Sequence, residues 1–159
     1  MRFRPPYRLL LGLIAAALFP ACASTDSQAP TQITNSKYYN LDPDALIATP
    51  DPMLSFEQRR YFHGAITREE RKAREGHYYV FWWEDAERSP AVVRLEYRQE
   101  NSGSLVKVKE QAIDDVGRKN KTYFEVIGEE YDLGGKVSAW RVSIVRGGQV
   151  VATDQSYLW

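Results

Sequence analysis

The sequence predicts an all-β fold: about seven short strands in two antiparallel sheets packed as a β-sandwich, with one short helical turn near residues 67–75. Three observations carry that expectation. Residues 78–83, Tyr-Tyr-Val-Phe-Trp-Trp, are all β-branched or aromatic, and so form a strand that is apolar on both faces and belongs in the middle of the fold. Several alternating segments follow at regular spacing, separated by polar or glycine-containing turns. Near the C-terminus, Arg146-Gly147-Gly148-Gln149 joins two alternating runs as a tight hairpin.

Length and charge set the bounds. With 159 residues, 43% of them hydrophobic, the chain has room for one domain and its appendages. The formal net charge is zero, but Arg2, Arg4 and Arg8 precede Cys22 and no acidic residue does. Without that leader, 18 basic residues face 21 acidic ones, a net charge of −3. Such a balance gives no electrostatic case for nucleic acid, which calls for a concentrated basic face. A single cysteine excludes an intrachain disulfide and a cysteine-based metal cluster.

The three arginines lead into an apolar run at residues 9–19 and then Pro20-Ala21-Cys22. The run is shorter than the roughly 20 residues of a membrane-spanning helix. A basic start, a short apolar centre and a small residue before a cut site describe an export signal. Residues 1–22 resemble the signal of a bacterial lipoprotein, which implies cleavage before Cys22 and lipidation of that cysteine. The resemblance further implies palmitate-type acylation and anchoring to a bacterial membrane. Ala23, in place of an aspartate, implies an outer membrane where the cell has one. Ordinary cleavage after Ala21 or Ala23, and an uncleaved anchor, remain as alternatives.

Residues 23–52 are rich in Ser, Thr, Asp, Asn and Pro, and read as a flexible tether following Cys22, with Tyr38-Tyr39 and Leu46-Ile47 docking loosely. The sandwich domain is expected over residues 53–159. Its first strand is placed around residues 59–66. Thr67 and Glu70 have capping-box spacing, and the charged stretch after them reads as exposed helical turns ending at Gly76. The aromatic strand follows. Residues 91–98 alternate, with Val93, Leu95 and Tyr97 facing in. Residues 105–111 alternate Val106 and Val108 against Lys107 and Lys109, and the lysines mark an edge strand. Residues 122–127 give a further strand. In the hairpin, Trp140, Val142 and Ile144 share one face, and the return strand is expected to run to a packed Trp159.

Residues 131–152 resemble the last corner and hairpin of a fibronectin type III or immunoglobulin-like domain, and Trp82-Trp83 resembles the buried tryptophan of that architecture. The resemblance implies an immunoglobulin-like sandwich and carries no activity of its own.

No local motif for nucleophilic, phosphate-binding or zinc chemistry is present. His63 and His77 fall in different elements, and His77 reads as the residue that opens a strand. The acidic groups Glu84/Asp85/Glu87, Asp114/Asp115 and Glu129/Glu130/Asp132 read as solvated turns, with a weak calcium site as the sharper alternative. No catalytic residue, metal ligand or cofactor is assigned. The 13% aromatic content invites a binding role: Tyr79, Phe81 and Trp83 form a candidate platform if one face of their strand is open. The plain alternative is that both faces are covered from within. The leading expectation is a lipid-anchored, non-enzymatic envelope module that meets an envelope protein or glycan. The runner-up is a carbohydrate-binding module that stacks sugars on Trp82, Trp83 or Trp140, and a small hydrolase is a distant third.

Overall fold

A computed structural model describes residues 29–43 and 52–159. The leader, Cys22 and the Leu46-Ile47 pair lie outside the described residues. Among the described residues, seven strands form two antiparallel sheets, the fold class the sequence predicted. They are β1 (Thr31–Leu41), β2 (Gly76–Asp85), β3 (Ala91–Gln99), β4 (Lys107–Ile113), β5 (Lys119–Ile127), β6 (Val137–Arg146) and β7 (Gln149–Gln155). One sheet has the order β1-β2-β5 and the other β4-β3-β6-β7. The chain crosses between sheets after β2, β4 and β5. The result is an immunoglobulin-like β-sandwich of three and four strands.

The aromatic strand β2 is central, paired with β1 on one side and β5 on the other. Its inward face carries Tyr79, Phe81 and Trp83, each 1% exposed. They meet Val93, Leu95, Trp140, Val142 and Ile144 of the opposite sheet. The Phe81 and Trp140 rings lie 5.5 Å apart, and those of Tyr79 and Trp140 are edge-on at 6.1 Å, the tilted geometries that aromatic pairs prefer.

Two expectations about the start of the domain are corrected. Residues 31–41, taken as part of a tether spanning residues 22–52, form β1, which pairs with β2 from Thr31 opposite Asp85 to Leu41 opposite Gly76. The composition misleads because an edge strand needs few apolar residues. Ile33 packs on the inner core and the fully buried Leu41 on the outer face beside Tyr78, while β-branched and aromatic residues favour the extended backbone. The expected strand over residues 59–66 is instead the end of a helix, α1 (Pro52–Tyr61), and the turn after it. Pro52 suits a first helical position, where its missing N–H costs nothing, and Arg59 and Arg60 sit in the last turn, where the helix dipole favours cations.

Helix α1 delivers Tyr61 and Phe62 to the outer face of β2, where they close over Tyr78 and Leu41. The capping box is present in α2 (Arg68–Lys72): Thr67 Oγ1 accepts from the Glu70 N–H and Glu70 Oε2 accepts from the Thr67 N–H, each at 3.1 Å. Gly76 then opens β2 at φ 141°, where a Cβ would stand 2.2 Å from the Val126 carbonyl oxygen.

The lysine-bearing β4 is an edge strand, as expected, and its lysines face inward. Val108 points to solvent, 52% exposed, while Lys107 and Lys109 share the inward face with Tyr97 and Leu95. The inner rim at this edge is polar and gives them partners: Lys107 Nζ donates to Gln99 Oε1 at 2.7 Å, and Lys109 Nζ donates to the Glu125 carbonyl at 2.7 Å. The Arg146–Gln149 hairpin is as expected, with Gly147 and Gly148 both at positive φ. Strand β7 stops at Gln155, short of the expected run to residue 159. Tyr157 is fully exposed, whereas Trp159 packs between the Arg98 and Arg141 guanidinium groups, each 4.8 Å from its ring.

A chain cut to begin at residue 53 lacks β1 and is expected to lose cooperative thermal unfolding, whereas one beginning at residue 29 keeps it. Circular dichroism melts of the two separate the outcomes.

Candidate functional site

The residues singled out as a platform, Tyr79, Phe81 and Trp83, are core. Their face is covered by the opposite sheet, so no ligand reaches them, and that assignment is corrected. Trp83 Nε1 donates to Thr122 Oγ1 at 3.1 Å inside the sandwich. Trp140 is buried as well. Of the three tryptophans considered for sugar stacking, Trp82 alone is half-buried, on the outer face of β2.

The register explains its surroundings. Lys121 of β5 stands directly opposite Trp82, and Tyr123 opposite Val80; on the other side Lys37 of β1 is opposite Val80. Directly opposed residues share a face. Lys121 Nζ lies 4.9 Å from the Trp82 ring and 4.8 Å from that of Tyr123, and Lys37 Nζ lies 5.8 Å from Trp82. Tyr123 is 43% exposed. Hydrogen bonding by Lys121 holds its phenol below the usual tyrosine range against a smaller opposing effect of burial, and Arg60 of α1 adds to the lowering. Beside Trp82, Thr34, Asn35, Glu84, Lys119 and Asn120 line a shallow depression of about 280 Å³. A larger open groove of about 800 Å³ runs from Arg60 and Tyr61 past Tyr123 to Lys109 on β4.

Three polar clusters lie elsewhere, none of them predicted. At one end of the sandwich Asp85, wholly buried, accepts from Arg146 Nη2 at 2.7 Å and from Thr31 Oγ1 at 2.8 Å. Arg146 Nη1 also donates to Glu87 at 3.0 Å. The pair ties β1, β2 and β6 together. At the other end Tyr97 donates to Glu130 of α3 (Glu129–Gly134), and Lys109 Nζ pairs with the second Glu130 oxygen at 2.6 Å. Burial works to raise the Glu130 pKa, but the Lys109 and Tyr97 hydrogen bonds outweigh it and hold the carboxyl below its ordinary range. Burial raises that of Tyr97. Tyr97 is therefore a fixed donor and Glu130 a fixed acceptor, an arrangement suited to holding β4 against the sandwich.

His77 is the third. Its Nε2 accepts from the Val137 N–H at 3.2 Å, so the ring is neutral with its proton on Nδ1, and it lies against Tyr79 and Tyr131. Burial, aided by the Lys136 charge, pushes its pKa down to about 4. That leaves it poorly placed as a base, while His63 sits exposed in the turn after α1. Among the described residues no group of three or more His, Cys, Asp or Glu side chains converges as a metal site. Among them, too, no helix is long and apolar enough to cross a membrane.

The fold and its outer face define a β-sandwich with a fixed core and an aromatic–cationic surface. No family model matches the chain, and no curated protein matches its sequence. A solved crystal structure from Akkermansia muciniphila is similar at 13% identity, with a TM-score of 0.40, over 81% of this chain and 70% of that one.

Two outcomes follow from the buried polar groups. Arg146→Met strands the Asp85 carboxylate and is expected to cost about 3 kcal/mol. Arg94→Met, which breaks the exposed Arg94–Glu110 pair, should cost less than about 1 kcal/mol; urea denaturation of both variants provides the comparison. For His77, the folded state resists a proton that the unfolded chain accepts near pH 6.5. Its contribution is therefore complete above that pH and declines as pH falls toward 4. By pH 5 the loss should be roughly 2 kcal/mol. Urea midpoints across pH 5–7.5 should fall more steeply for the parent protein than for His77→Gln.

Proposed function

We propose that the protein is a lipid-anchored envelope protein whose β-sandwich serves as a non-enzymatic interaction module. The observation that carries this reading is the pairing of an arginine-led apolar leader ending at Cys22 with a sandwich that holds Trp82, Lys37 and Lys121 on a solvent-facing sheet. Acylation of Cys22 would moor the chain, each buried CH₂ contributing about 0.8 kcal/mol, so that several chains together hold firmly. Only residues 23–30 separate Cys22 from β1. At roughly 3.5 Å per residue, they set an upper limit of about 30 Å on the distance between the anchor and the sandwich. The partner is then something close to the membrane surface, an envelope protein or a glycan, and the mixed charge of the sandwich does not favour nucleic acid.

A carbohydrate ligand is the second reading, and it rests on the half-buried Trp82 on the outer face of β2. In bacterial cells making the full chain, mass spectrometry is expected to find the mature N-terminus at an acylated Cys22. Cys22→Ser should move the protein from the membrane pellet to the soluble fraction. An unmodified Cys22 in membrane-bound protein would refute the anchor.

A further inference from the structure

We infer that the outer face of the β1-β2-β5 sheet is a binding site for an acidic glycan, with one sugar ring stacked on Trp82 and its anionic substituent held between Lys37 and Lys121. The inference rests on the interaction-module reading above and names the ligand class for it. Trp82 is half-buried on the central strand of its sheet, whose backbone is paired on both sides. A platform held this way gives up little freedom when a ligand arrives. A pyranose presents a flat face of C–H groups that matches an indole face.

The charges say which sugars fit. Among the described residues, neither Lys37 nor Lys121 has a carboxylate within ion-pair distance. Their ammonium groups lie over aromatic rings instead, contacts that are weak at exposed positions and readily exchanged for an anion. Tyr123, next to Lys121, adds a hydroxyl and a second ring. The face is not uniformly basic. Glu84 pairs loosely with Lys119 at 3.8 Å, Glu57 with Arg60 at 3.7 Å, and Glu125 stands opposite Tyr78. These carboxylates bracket Lys37 and Lys121 and would repel a continuous polyphosphate, while one carboxylate or phosphate per ring fits between them. A lipid surface fits less well: Val80 is buried, and no exposed aliphatic side chain stands out from this face on β1, β2 or β5.

The test uses the full chain with Cys22→Ser, which separates sugar binding from the anchor. Peptidoglycan co-sedimentation and polygalacturonate titration followed by tryptophan fluorescence are the readouts. Dextran, polyphosphate, oligo-dT and phosphatidylglycerol vesicles are the comparisons. The expected result is binding to an acidic glycan at least tenfold tighter than to dextran or to the three non-sugar anions. Trp82→Ala should weaken it at least tenfold and Lys37→Gln/Lys121→Gln at least fivefold, with Arg94→Gln on the other sheet unchanged. A thermal melt of each variant checks its fold, and if Trp82→Ala unfolds, the lysine pair decides. Failure to bind either acidic glycan overturns the proposal, as does binding indifferent to the deciding substitutions. Equal binding to polyphosphate, oligo-dT or vesicles overturns it too. Each of these leaves the Cys22 anchor, read on the N-terminus itself, untouched.

Discussion

A strand that is apolar on both sides has to be covered twice, and the two covers on β2 account for most of the architecture. On one side Tyr79, Phe81 and Trp83 require a second sheet, and β3 and β6 supply Val93, Leu95, Trp140, Val142 and Ile144. On the other, Tyr78 requires a smaller cover, which α1, Phe62 and the end of β1 provide. The second cover stops short of Trp82. The half-buried indole is what remains when one helix of ten residues shields only part of a ten-residue strand.

The sheets were legible because local chemistry and burial agreed. In β3 and β6 the inward positions from Ala91 to Tyr97 and from Trp140 to Ile144 are apolar, and Gly147-Gly148 suits a tight reversal between β6 and β7. The parts that were not legible are those where the deciding partner is far away in sequence. Period two divides β2 into two faces, but it cannot say which has the full sheet beneath it, so Tyr79, Phe81 and Trp83 were as reasonable a platform as Trp82. The same ambiguity applies to β4, where alternation alone does not say whether the valines or the lysines face inward. Gln99 and Glu130 settle it by giving the lysines polar partners. Strand β1 was hidden by its Thr, Asn and Ser content, which suits a solvated edge as well as a coil.

The buried polar groups show why long-range pairing evades a local reading. Asp85 and Arg146 are 61 positions apart, and each alone resembles an ordinary turn residue. Brought together they close one end of the sandwich, where the desolvation cost of the carboxylate is offset by two donors. Tyr97, Glu130 and Lys109 do the same at the opposite end, and Glu130 belongs to a short helix that sequence pattern assigns to a turn. His77 needs the Val137 N–H, sixty residues on, to explain its burial.

Strands β1 and β7 lie side by side across the two sheets, joined by Ser36 Oγ donating to Asp154 at 2.5 Å. Both run in the same direction: β1 starts at the Asp85 end, and β7 starts just past Arg146 at that same end. The first strand is therefore entered at one pole of the domain and the last is left at the other. Tension between these two points would drag β1 lengthwise along β2, loading their hydrogen bonds together in shear instead of peeling them apart one by one.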